Sequence, residues 1–207
     1  MENEPRLYRR LRRVGNIVIG MSEVYFYDTV FEKIETLAKG EYECCTFVEC
    51  DFSKQDFSDF VFIDCSFREC NLSLVNIHKS VIRDVEFSGC KMMGLRFEQC
   101  NEFGLSFTFT GCQLNHSSFY KLKIKNTVFN NSQLQEVDFT EADLSGCTFN
   151  QCDFLSATFY QTILEKSDFR NSFNYSLDPE LNRIKKARFS TSGISGLLDK
   201  YDIQIED

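Results

Sequence analysis

The residues of this 207-residue chain most able to do chemistry are ten cysteines, two histidines and 31 carboxylates. Cysteines in that number could bind a metal or form disulfides. Histidines beside a thiol or hydroxyl could activate a nucleophile. Paired carboxylates could do acid–base work. Their spacing argues against each. No Cys-x-x-Cys occurs, the short spacing that zinc sites favour. Cysteines recur five apart instead, as in Cys45/Cys50, Cys65/Cys70 and Cys147/Cys152. His78 and His116 have no nucleophile at a useful spacing, and no glycine-rich phosphate loop is present. The carboxylates are spread through a polar, periodic background that offers no cleft.

That background explains the spacing. From Phe47 every fifth residue is apolar through Phe97; the pattern slips by two within EQCNEFGLSFTF and resumes from Phe109 to Phe169. All 24 positions are apolar and 15 are Phe, a period that fits neither a helix nor a strand. Two residues before each centre sits a small residue, often Cys, Ser or Ala. Both positions point inward, so Cys50, Cys70 and Cys90 form one inward column, with Cα atoms about 4.8 Å apart and parallel Cβ vectors unsuited to bridging. They are core filler, which places the chain in a reducing cytoplasm. Adding twenty gives the columns: Phe47, Phe67 and Phe87 on one face, and Phe109, Phe129, Phe149 and Phe169 on another.

EADLS at 141–145 and SDFRN at 167–171 show the motif well. Over about residues 41–172 the chain resembles the pentapeptide repeat proteins, whose consensus is A(D/N)LXX with Leu or Phe at the centre. The resemblance implies an all-β fold, a right-handed quadrilateral β-helix in which four pentapeptides make one square coil. A filled tower of that kind is read as non-enzymatic and free of cofactors and metals.

The ends are read separately. Residues 1–21, with five Arg between 6 and 13, form a flexible or loosely held basic arm, and 22–40 an irregular lead-in with Phe26 and Phe31 packed on the first coil. Residues 173–207 are a short α-helical cap and dimerisation tail. Asp178-Pro179 starts one helix, a second runs over about 193–200, and residues 201–205 alternate like a strand. Phe189, twenty past Phe169, adds a rung.

Charge is uneven. Residues 41–172 carry 19 acidic and 11 basic side chains, so free nucleic acid is repelled. No apolar run is long enough to cross a membrane. Two acidic sets stand out: Asp51, Asp56, Asp59, Asp64 and Glu69, then Glu136, Asp138, Glu141, Asp143 and Asp153; Lys121, Lys123 and Lys125 make a local basic spot. A rod with regular negative charge could mimic duplex DNA. The tail resembles the Qnr, MfpA and microcin-immunity types of pentapeptide protein, which protect bacterial type II topoisomerases and join end to end through apolar C-terminal residues. That resemblance implies a homodimer through Ile194, Leu197, Leu198, Tyr201, Ile203 and Ile205, with DNA gyrase or topoisomerase IV shielded from quinolones or peptide poisons. Long projecting loops found in some Qnr proteins are absent. The alternative is a general protein-interaction scaffold with an unrelated partner.

Overall fold

The structure, a computed structural model, describes residues 12–14, 17–19, 24–204 and 206. Its building unit is a pentad with a corner at its end. The residue two after nearly every centre, Phe97 and Phe169 excepted, has a left-handed backbone: φ is 61° at Asp59, 58° at Lys79, 60° at Lys121 and 57° at Glu141. Side chains rarely adopt it, at a cost of about 1–2 kcal/mol each. Backbone hydrogen bonds offset the cost. The Asp59 and Lys121 amides donate to the His78 and Thr140 carbonyls one coil on, both at 3.0 Å. On the turn-like faces the centre's carbonyl also accepts from three residues ahead, as Phe57 does from Phe60 at 3.1 Å.

Two of the four faces are regular sheets. One stacks β3 (Val24–Tyr27), β5 (Gly40–Glu43), β7 (Val61–Ile63) and β9 (Val81–Arg83) in parallel. Antiparallel β1 (Arg12–Val14) and β2 (Ile17–Ile19) extend it. The other stacks β4 (Val30–Glu32), β6 (Thr46–Val48), β8 (Ser66–Arg68), β10 (Val85–Ser88), β11 (Phe107–Thr110), β12 (Val128–Asn130) and β13 (Thr148–Asn150). Isolated parallel bridges such as Asp51↔Asn71 and Asp56↔Asn76 hold the remaining faces. The result is a mostly-β parallel solenoid.

The interior corrects one expectation. The two Phe sets form a single column, because Phe87 pairs with Phe109. Both inserted residues lie in one longer coil, and a coil of 22 returns the chain to the same face. Phe31, Phe47, Phe67, Phe87, Phe109, Phe129, Phe149, Phe169 and Phe189 stack with centroids 4.4–5.4 Å apart. Phe189 is the added rung. Offset stacking at this spacing adds attraction beyond burial.

Both ends are more regular than their sequences promise. The lead-in becomes coil from Val24, with Phe26 stacked on Tyr42 at 5.0 Å and Phe31 on Phe47 at 5.1 Å. Gly40 permits this: a Cβ there would lie 2.0 Å from the Val24 carbonyl oxygen. Residues 12–14 and 17–19 of the basic arm are paired strands; the rest of 1–21 lies outside the described residues. At the other end, Asp178-Pro179 starts another turn, not a helix. The Asp178 carboxylate accepts from the Glu180 amide at 2.8 Å, and Arg183 and Arg188 bridge to the coil below. The helical cap is present as 3-10 turns, Thr191–Leu197 and Asp199–Tyr201. Residues 202–204 form no strand, and Ile205 lies outside the described residues.

Candidate interaction surface

The thiols belong to the core. Apart from exposed Cys44, every cysteine is buried, and all ten are free. Cys70, Cys90 and Cys112 each point a sulfur at a carbonyl of the coil below, on Phe47, Phe67 and Phe87, at 3.4–3.5 Å. Burial pushes the Cys100 and Cys147 thiols up to about 12 and Cys152 to about 11, so they stay protonated and inert. No group of three or more metal-ligating side chains converges among the described residues. His78 and His116 face solvent; His116 Nδ1 lies 3.2 Å from the Glu136 carboxylate.

The ten acidic candidates divide by position in the pentad. Asp51, Asp56, Asp138, Asp143 and Asp153 directly precede a centre. Each accepts a hydrogen bond from the amide two residues on, at 2.9–3.2 Å. Such Asx turns pin the bend that closes each pentad. These bonds are why a carboxylate or amide recurs there; the Ser53 amide holds the Asp51 carboxyl below the usual range, and the Ser58 hydroxyl, then its amide, does the same at Asp56. At Asp143 burial works the other way, but hydrogen bonds from Ser145 and Lys125 prevail and the net shift is downward. This set is engaged in the fold itself.

Asp59, Asp64, Glu69, Glu136 and Glu141 are corner residues with positive φ. They project outward but lie on four different edges of the tower. Corner residues stack twenty apart, and several find opposite charge there: Lys39 sits 2.8 Å from Asp59 and Lys121 3.5 Å from Glu141. The structure therefore brings none of the ten into one continuous stripe. Lys125 of the basic spot is bound to Asp143 at 3.0 Å.

The tail candidates crown the last coil. Ile194, Tyr201 and Ile203 are exposed, Leu198 is half-buried, and Leu197 turns inward against the core. Among the described residues no helix is long and apolar enough to cross a membrane. One surface residue escaped the repeat reading altogether: Phe103, 82 % exposed, on the loop that the two-residue slip creates. The slip itself was the signal for it.

Comparison with known proteins follows the same geometry. A family model described as "Pentapeptide repeats (8 copies)" matches residues 45–84, and one described as "Pentapeptide repeat region" matches 106–173. Together they span slightly over half of the chain. No curated protein matches. Among solved structures, the plasmid-mediated fluoroquinolone resistance protein QnrB1 aligns at 19% identity and a TM-score of 0.47, covering 88% of this chain and 99% of that one. HetL, a pentapeptide repeat protein involved in heterocyst differentiation regulation in the cyanobacterium Nostoc sp. strain PCC 7120, aligns at 13% identity and a TM-score of 0.40, covering 79% and 86%.

Proposed function

Because the chain belongs to the pentapeptide repeat family, we propose that it is a non-enzymatic interaction rod, a scaffold whose outer faces engage a protein partner in the cytoplasm. One observation carries this reading: the unbroken nine-rung Phe column fills the interior, leaving the outside as the working surface. The reactive side chains either pack into that interior or face solvent singly. Affinity capture from the source cell with the intact chain, followed by identification of bound proteins, tests it. Failure to retain any protein above a scrambled-surface control would refute it.

A second reading has an observation of its own. The 41–172 region holds eight more acidic than basic side chains, and Asp56, Asp59, Asp138 and Glu141 share one side of the tower, at positions equivalent by steps of twenty and twenty-two. On this reading the rod enters a basic DNA channel on gyrase or topoisomerase IV and shields the enzyme from quinolones or peptide poisons. The tail residues Ile194, Leu198, Tyr201 and Ile203 then join two copies end to end. Supercoiling assays with and without ciprofloxacin or a peptide toxin decide it. Protection at micromolar protein supports it; neither binding nor protection removes it.

A further inference from the structure

One corner of the tower differs from the other three. Read upward, it holds Asp28, Cys44, Asp64 and Asp84, then, above the long coil, Asn126, Gly146, Lys166 and Lys186, all with φ between 47° and 72°. Backbone bonds tie the column together, such as Cys44 N to Ile63 O at 3.0 Å and Lys166 N to Lys185 O at 3.0 Å. The lower half is acidic and the upper half basic. Asp28, Asp64, Asp84, Lys166 and Lys186 are all exposed, and none makes a salt bridge to another described residue. Elsewhere in the tower several corner charges are paired across neighbouring coils, as Asp59 is with Lys39 and Lys121 with Glu141.

Between the halves lies the loop of residues 101–106. It is held firmly. The Phe103 amide donates to Asn101 Oδ1 at 2.9 Å, and the Ser106 hydroxyl accepts from the Asp84 amide at 2.7 Å and donates to its carboxylate at 2.9 Å. The Arg83 guanidinium sits 6.0 Å from the centroid of the Phe103 ring. An aromatic knob on a pinned loop thus stands beside an open groove lined by Asp84, Leu105, Phe107, Lys123 and Lys125.

A column that is acidic below, basic above and apolar at its midpoint is complementary to itself when inverted. We propose that this corner and its adjoining β3–β5–β7–β9 face form an isologous contact with a second copy of the chain, the two towers side by side and antiparallel. A two-fold axis through the level of Phe103 sets Asp28 opposite the partner's Lys186, Cys44 opposite the partner's Lys166, and Asp84 opposite the partner's Asn126. Each Phe103 enters the groove of the other copy, placing an apolar anchor at the centre and charges at the rim. Half-buried Val61, Ile63 and Val81 line the same face. The inversion also opposes Glu43 to Glu165 and Arg83 to Lys125. Three of these four already hold an opposite or polar partner in their own tower: Glu43 the Tyr25 hydroxyl, Glu165 Arg183 at 2.7 Å, and Lys125 Asp143 at 3.0 Å. Arg83 lies against Phe103.

Eight coil spacings of ~4.8 Å and a width of ~13 Å give roughly 500 Å² per copy. That total of about 1,000 Å² is at the low end for a specific interface, so the dimer is weak and sensitive to salt. Sedimentation equilibrium of the full chain at about 0.05 M and about 0.5 M salt tests it, since screening at the higher salt cuts the Debye length to below about 5 Å. Association at low salt that fades at high salt is expected. Lys186→Asp weakens it about tenfold, Asp28→Lys/Lys186→Asp restores it, and Phe103→Asp weakens it without loss of fold, because the ring lies outside the core. Solution scattering gives a particle no longer than one tower. A monomer at every concentration overturns the proposal. So does a dimer untouched by Lys186→Asp, failure of the double variant to rescue, or an elongated dimer lost only with Ile203→Asp.

Discussion

Replacing Phe129 by Ala puts the central column to a quantitative test. Phe129 is fully buried between Phe109 at 5.1 Å and Phe149 at 5.0 Å, with the Phe119 ring edge-on at 6.0 Å. A Phe buries about 200 Å², worth about 5 kcal/mol at ~25 cal/mol per Å² as an upper figure. Buried Phe-to-Ala changes cost about 3–5 kcal/mol in total, so about 4 kcal/mol is expected. Phe189→Ala is the internal control. It is half-buried at the top rung, with ring contacts among the described residues to Phe169 and Tyr175 alone, and should cost about 1–2 kcal/mol. Urea unfolding followed by far-ultraviolet circular dichroism reads both. With a slope of about 3 kcal/mol per M for a chain of this size, the midpoint falls by about 1.3 M for Phe129→Ala and about 0.5 M for Phe189→Ala. A drop in slope for the central variant alone would show the tower parting into two units, as nearest-neighbour coupling allows. A Phe129→Ala cost equal to or below that of Phe189→Ala would refute the single packed column.

Other outcomes follow from the same geometry. Folded protein should yield one fast equivalent of thiol to an aromatic disulfide reagent, from Cys44, and all ten only after denaturation. At the exposed corner Gln161, with φ 54°, Gln161→Gly and Gln161→Val should differ in stability by about 1–2 kcal/mol in favour of Gly, read by thermal melts. Gly196→Ala should undock the cap, because a Cβ there meets the Tyr175 carbonyl oxygen at 1.9 Å; faster proteolysis after residue 190 would report it. The Asp178 carboxyl is held low chiefly by a hydrogen bond from Lys200. Its folded pKa thus lies below its unfolded value of about 4, so its stabilisation is present above that pH and is lost as pH falls through the folded value. Acid should loosen the cap first, and Lys200→Ala should flatten that pH dependence in amide exchange.

The period of five was legible because every centre faces a filled interior, where substitution by a polar group is costly. The Phe column was legible too, but its continuity across the slip was not: a two-residue insertion reads as a change of face unless the backbone can place it within one coil. Nor did the sequence betray the corners. Left-handed φ is usually announced by glycine, yet Lys79, Glu69 and Glu141 adopt it here because inter-coil bonds on both sides leave no other path. The carboxylates misled for a related reason. Asp51 and Asp138 look like surface charge in a string of letters, and only the Asx bonds show that they close turns. The helix expected at Asp178-Pro179 failed the same way, since an Asp that can cap a helix can equally pin a bend. Phe103 stood in plain sight as an aromatic outside the repeat.

Because each coil touches only the one above and the one below, the tower has little resistance to being peeled from an end. Pulling on the termini loads one rung at a time, and each rung that yields frees about twenty residues, or ~65 Å of slack. The corner bends then give way in sequence rather than together. Such a body is stiff against sideways pressure and compliant along its length, with its mechanical strength set by the weakest coil and not by the number of coils.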